Sequence, residues 1–189
     1  DPFKMLVAEI MLRRTRADQV RTAYEEMISK YPDPKEMLRA SEEDIARLFE
    51  PLGLNWRVQP FCAMVKEIGV KYDSKVPEDR QQLTDLPGVG DYVAGAVLSM
   101  ALNKREWIVD TNVVRVFKRY FGTMTSGEGR RDRRIIDIAK MYVSTRNPRE
   151  ANLAILDFAA LICTAKNPKH DLCPLGKRCH YVTPESAGT

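Results

Sequence analysis

The chain has 189 residues, of which 44% are hydrophobic and 30% charged, enough apolar content for one large domain or two small ones. No apolar run approaches the ~20 residues of a membrane-spanning helix and no signal peptide opens the chain, so membrane, fibrous and secreted disulfide-scaffold classes are not expected. The net charge of +4 is uneven: residues 1–103 hold fourteen Lys/Arg against seventeen Asp/Glu, residues 104–189 sixteen against nine, so a polyanion is expected on the second half. The chain starts at Asp1 without Met, so a preceding N-terminal piece is expected. Phe3, Leu6, Val7, Ile10 and Met11 form a helical stripe, with Glu9 and Arg13 on other faces. Ser41 to Asp44 has capping-box form ahead of Ile45, Leu48 and Phe49. Asn55 is expected to cap a helix through Val58, Phe61, Cys62, Val65 and Ile68, with Cys62 a small buried hydrophobe. Further helices are predicted over about 91–102, 111–121, 131–145 and 149–163, separated by Pro and Gly. No run alternates as a strand does, and the predicted class is all-α with two helical lobes.

Two segments carry chemistry. In Leu86-Pro87-Gly88-Val89-Gly90, a short helix ends at Asp85 and another starts at Asp91; the glycines permit positive φ and close backbone approach. Such a helix-hairpin-helix turn aims free N–H groups at an anion such as a phosphate. Some twenty residues later, Trp107-Ile-Val-Asp110-Thr-Asn112 places Asp110 as the cap of the next helix. Near the end, Cys163, Cys173 and Cys179 fall within seventeen residues, an odd number for a disulfide framework and better read as a metal site.

The hairpin, the Asp110-Thr-Asn-Val-Val-Arg-Val116 element and the cysteine-rich end together resemble the helix-hairpin-helix superfamily of base-excision DNA glycosylases, the endonuclease III group. The resemblance spans the chain from Glu9-Ile-Met-Leu-Arg-Arg-Thr15 onward, although the family helix preceding residue 1 is absent. It implies a six-helix domain over 1–104, with the hairpin at about 79–102, and a helical iron–sulfur cluster domain over 105–189, with DNA bound in the cleft between them. It implies a base-excision repair enzyme that flips a base from the duplex and hydrolyses its glycosidic bond, with Asp110 as the catalytic carboxylate. Bifunctional members carry a lysine nucleophile where this chain has Tyr92, so a monofunctional enzyme without AP-lyase activity is expected. Glu9, Tyr92 and Asp110 suit two groups of relatives: mismatch glycosylases releasing thymine or uracil opposite guanine, and adenine glycosylases acting opposite 8-oxoguanine or G. Arg13-Arg14-Thr15, Gly53-Leu-Asn55 and Leu153–Phe158 favour the former; the adenine enzymes carry an additional C-terminal domain, which is not expected where the sequence stops ten residues after Cys179. A non-catalytic DNA-binding module is the alternative from another class.

The resemblance further implies DNA contacts at Arg13, Arg14, Thr15, Gly88, Val89, Gly90, Lys166, Lys177 and Arg178. Arg14 is expected to enter the gap in the duplex and Leu54 to act as a wedge. The family's Cys-x6-Cys-x2-Cys-x5-Cys spacing is kept by Cys163, His170, Cys173 and Cys179, with histidine second. A 4Fe–4S cluster with His170 as a ligand is expected, a Cys3His zinc site or a partial cluster being the alternatives. The expected partner is double-stranded DNA with a mismatched or damaged base, bound by an intracellular monomer of cytoplasm or nucleoid.

Overall fold

The computed structural model describes residues 1–13, 15–125 and 127–183, and every regular element among them is helical. The chain divides after Leu102 into two compact units. None of the described helices is long and apolar enough to cross a membrane.

The first unit opens with α1 (Pro2–Leu12), which starts where Asp1 accepts from the Lys4 amide at 3.0 Å and Pro2 takes a position needing no donor. α1 buries Phe3, Leu6, Val7, Ile10 and Met11. Then follow α2 (Ala17–Lys30), α3 (Pro34–Met37), capped by Asp33, and α4 (Glu42–Phe49), capped by Ser41. After α4 the chain tightens into a 3-10 turn over Glu50–Leu52, reverses at Gly53 (φ +66°), and makes a second 3-10 turn over Asn55–Arg57. α5 (Val58–Lys71) therefore starts later than its expected Asn55 cap: Asn55 belongs to the 3-10 turn, and no side chain caps α5. α6 (Arg80–Asp85), capped by Asp79, and α7 (Asp91–Ala96) flank the glycine turn. The predicted 91–102 helix is α only to Ala96 and continues as a π-helical turn over Val97–Ala101. α1 packs against α2 and α7. The core centres on Leu6, Met11, Phe49, Phe61, Met64 and Leu98, with the Phe49 and Phe61 rings edge-to-face at 5.2 Å. Fully burying each such side chain stabilises the fold by roughly 1.5–3 kcal/mol. Cys62 is half-buried and lines a cavity beside Met37, Ile45 and Phe61.

The second unit is built on α8 (Thr111–Phe121), which packs against α9 (Arg133–Tyr142) and α10 (Pro148–Leu161). The predicted 131–145 helix is shorter because Asp132 caps it and Val143 ends it. Trp107, Val113, Val116, Phe117, Ile135 and Ile155 form its core. α8 ends at Gly122 (φ +66°), where a Cβ would stand 2.7 Å from the His180 ring; both conformation and space demand glycine. The segment after α10 folds back in two 3-10 turns, His170–Leu172 and Gly176–Arg178. Its His180 and Tyr181 amides then donate to the Tyr120 and Arg119 carbonyls at 3.1 and 2.9 Å. Those carbonyls lie in the last turn of α8, where helical donors have run out.

Candidate active site

In the first unit the hairpin turn is anchored from below and open above. Leu86 and Val89 are buried in the core, while Gly88 and Gly90 are exposed. Gly88 has φ +76°, and a Cβ there would meet only the Pro60 Cβ at 3.5 Å, so conformation rather than crowding selects glycine. Gly90 precedes α7 and has no side chain with which to cap it. Val89 can serve a ligand only through its backbone, because its side chain is packed inside.

Glu9 lies half-buried on α1, and burial pushes its carboxyl up to about 7. A carboxylic acid of that strength is partly protonated at neutral pH and can donate a proton. Arg13 follows the helix exposed; Thr15 is half-buried, with its hydroxyl enclosed and unpartnered among the described residues. Arg14 lies outside the described residues. Tyr92 is half-buried on α7 and packs against the first unit's core. Leu54 departs from its expected wedge role: it is 3% exposed and belongs to that core. The exposed side chains of its turn are Asn55 and Trp56.

In the second unit Asp110 caps α8. Its Oδ1 accepts from the amides of Asn112 and Val113 at 2.9 and 2.7 Å, and its Oδ2 accepts from Asn112 Nδ2 at 2.7 Å. Three donors fix the carboxylate, leaving roughly one of its four acceptor positions for another group. Arg115, one turn on, donates through Nη1 to Asn112 Oδ1 at 2.7 Å. It also reaches the carbonyls of Cys163 and Ala159 at 2.9 and 2.8 Å. Arg119, a further turn along, donates to the Thr164 and Ala165 carbonyls at 2.7 and 3.1 Å, and its guanidinium lies 4.9 Å from the Tyr181 ring centroid. Sequence reasoning assigned no role to Asn112, Arg115 or Arg119. The available signal was two arginines one turn apart on the helix that Asp110 caps.

Cys163, His170, Cys173 and Cys179 all line one cavity under this loop, with Arg119, Phe158 and Ile162 in the same wall. No three His, Cys, Asp or Glu side chains among the described residues are arranged around a single ion. The four line the cavity as three thiols and one imidazole, and thiols are the donors that iron–sulfur groups take. His170 is exposed, and its ring stacks on Tyr181 with centroids 5.9 Å apart. Lys166, Lys177 and Arg178 are exposed on the same loop.

Residues 7–134 match the family of HhH-GPD superfamily base excision DNA repair proteins, and residues 163–179 match the iron–sulfur binding domain of endonuclease III. The chain is 34% identical to a thymine/uracil-DNA glycosylase of Methanothermobacter thermautotrophicus, covering 96% of this chain and 82% of the relative. It is 39% identical to one of Pyrobaculum aerophilum, covering 93% and 78%. An adenine DNA glycosylase of Buchnera aphidicola subsp. Schizaphis graminum is 32% identical, over 94% of this chain but 51% of its own length. Among solved structures, a thermostable thymine-DNA glycosylase superposes with a TM-score of 0.89 at 33% identity, over 97% of this chain and 85% of that one. An endonuclease III trapped covalently on DNA shares the fold, with a TM-score of 0.79 at 24% identity, over 98% and 86%.

Proposed function

The chain belongs to the HhH-GPD superfamily of base excision DNA repair proteins, and from that membership we propose that it is a monofunctional DNA glycosylase releasing thymine or uracil mispaired with guanine. Asp110 carries this reading: a carboxylate locked by three donors at a helix N-terminus, with one acceptor position to spare. Phosphate binding alone has no use for a carboxylate so fixed. The choice of base rests on 34–39% identity to thymine/uracil glycosylases along nearly the whole chain.

The glycosidic carbon is out of reach inside a duplex, so the target nucleotide leaves the stack. The exposed hairpin backbone at Gly88 and Gly90 holds a phosphate, and Lys166, Lys177, Arg178 and Arg13 supply further charge along the strand. As the C1′–N bond lengthens, positive charge grows on the sugar and Asp110 stabilises it. Glu9, held as an acid by its burial, gives its proton to the departing base. Water adds its hydroxyl to C1′ and its remaining proton passes to solvent, from which the Glu9 carboxyl regains its own; the products are free base and an abasic site. Single-turnover base release from duplexes carrying T·G, U·G, A·8-oxoG and A·G, with alkali to reveal abasic sites, tests this reading. Release from the first two supports it, whereas release confined to the adenine pairs overturns the choice of base.

Tyr92 decides whether the strand is cut once the base has gone. A phenol cannot form the imine through which a lysine cleaves the backbone. Borohydride should therefore trap no covalent complex between this protein and abasic DNA, whereas Tyr92→Lys, which supplies an amine, should yield one. Trapping by the unmodified protein would reveal another nucleophilic amine.

Cys163, His170, Cys173 and Cys179 would hold a 4Fe–4S cluster, with His170 as the nitrogen ligand; when bound, the cluster ties the basic loop together. Purified protein should be brown and contain iron and sulfide, and His170→Cys should hold its iron longer in air, because thiolate is the stronger donor to ferric iron. Colourless protein with one zinc and no iron would assign a Cys3His zinc site instead.

A further inference from the structure

Arg57 closes the 3-10 turn before α5 and is 4% exposed. Arginine in a DNA-binding protein ordinarily meets phosphate, but a side chain this deeply enclosed cannot. Burying a guanidinium is costly, and an apolar side chain of similar volume is often as stable in its place. A reason of geometry is needed for a cation at this position.

The reason lies in what Arg57 holds. Its Nη1 donates to the Ile10 carbonyl at 2.9 Å, across 47 residues of sequence. Ile10 belongs to the last turn of α1, where carbonyls have run out of helical donors and the helix dipole favours a cation. The guanidinium is fixed in turn. The Arg57 amide donates to the Leu54 carbonyl at 2.8 Å, and the Trp56 ring covers the guanidinium carbon at 4.3 Å. A cation so desolvated attracts an aromatic face more strongly than one in water does.

The residue before Ile10 is Glu9, so a last turn that unwinds at Ile10 carries Glu9 towards water. α2, α7 and the π-helical turn pack against α1. Of their titratable groups, Tyr24 of α2 donates to the Lys4 carbonyl at 3.4 Å, in the first half of α1, and Tyr92 of α7 packs on the core. Both are phenols, neutral at pH 7. Burial is what raises the Glu9 carboxyl. Its acid strength is therefore set by how firmly the end of α1 is seated.

We infer that Arg57 is a positioning residue for base release: by holding the last turn of α1 in place, it keeps Glu9 enclosed and able to deliver its proton. The inference rests on the glycosylase reading. Arg57 acts through the backbone of α1 and not on the substrate.

Two measurements test it. The first follows the Glu9 carboxyl by carbon-13 NMR against pH in glutamate-labelled protein, its signal assigned by absence from Glu9→Gln. The second is single-turnover base release from the T·G duplex. Wild-type Glu9 should titrate near 7. Arg57→Met keeps the bulk of the stem without a donor, and its Glu9 should titrate at least about one pH unit lower, as a carboxyl returned to water does. Base release by Arg57→Met at pH 7 should be about 10-fold or more slower, because less of the acid is protonated. Arg57→Lys, which keeps a cation and a shorter donor, should fall between the two. In Glu9→Gln protein, Arg57→Met should slow release by no more than a few fold further, whereas general damage to the site would slow it as much as in wild type. A Glu9 midpoint that is ordinary in wild type, or that stays or rises in Arg57→Met, overturns the inference; a rise would show that Arg57 acts by charge alone. Where Arg57→Met does not fold, the midpoint in Arg57→Lys decides by the same criterion. If the midpoints move as expected but wild type releases no base, the glycosylase reading is at fault and not the hold of Arg57 on Glu9.

Discussion

Asp110→Asn should release base at least ~100-fold more slowly than wild type while binding mismatched DNA within a few fold of it, the scale of losing one preorganised electrostatic contact in a water-poor site. The substitution isolates charge from structure. Asparagine is as good an N-cap as aspartate, and its side-chain oxygen can still accept from the Asn112 and Val113 amides, so α8 should keep its start. What disappears is the full negative charge that the proposed mechanism sets against a sugar turning cationic. Substrate binding precedes that charge and should be spared, so the loss falls on the chemical step under single-turnover conditions. An asparagine enzyme within tenfold of wild type would remove Asp110 from the mechanism.

Glu9→Gln should produce effects of opposite sign on rate and stability. In its proposed role as the acid to the leaving base, Glu9 would contribute on the order of 10²- to 10⁴-fold, and glutamine cannot replace it. Wild-type base release should fall as pH rises through about 7, where the carboxyl ionises. The variant should be slow and lack that limb. Stability follows from the same carboxyl, whose ordinary value is 4.5 and whose folded value is about 7. Between these pH values the folded protein binds more protons than the unfolded chain, so wild-type stability falls as pH rises across that window and levels off above it. Glutamine removes the cost of burying a charge, and Glu9→Gln should be more stable than wild type at pH 8 by about 1–3 kcal/mol. Thermal melts at pH 5 and 8 check this: a variant less stable than wild type at pH 8 would show that the carboxylate is well accommodated. Greater stability with lower activity is the mark of a residue kept for chemistry.

Some of this was legible in the residues alone, and the reason is range. Pro87-Gly88-Val89-Gly90 between two short helical stretches announces a turn with positive φ, because only glycine takes that conformation freely, and Gly88 has it at +76°. Asp110 ahead of Thr111 reads as a cap because the bonds it forms span two and three residues. The cysteine spacing reads as a metal loop for the same local reason.

Other features depend on groups far along the chain. Gly53 between two 3-10 turns sends Leu54 into the core and Trp56 outward, whereas the family resemblance suggested Leu54 as a wedge and the local pattern an Asn55 cap. Arg57 is a buried charge because of a carbonyl 47 residues away, and a charged letter in a sequence gives no sign of that. Arg115 and Arg119 meet carbonyls 44 to 48 residues distant, in the last turn of α10 and beyond it. Glu9 gains its acid character from burial that no neighbour in sequence imposes. Capping, backbone conformation and spacing act over a few bonds and are written in the chain; solvation, and the pairing of remote polar groups, exist only once the helices have packed.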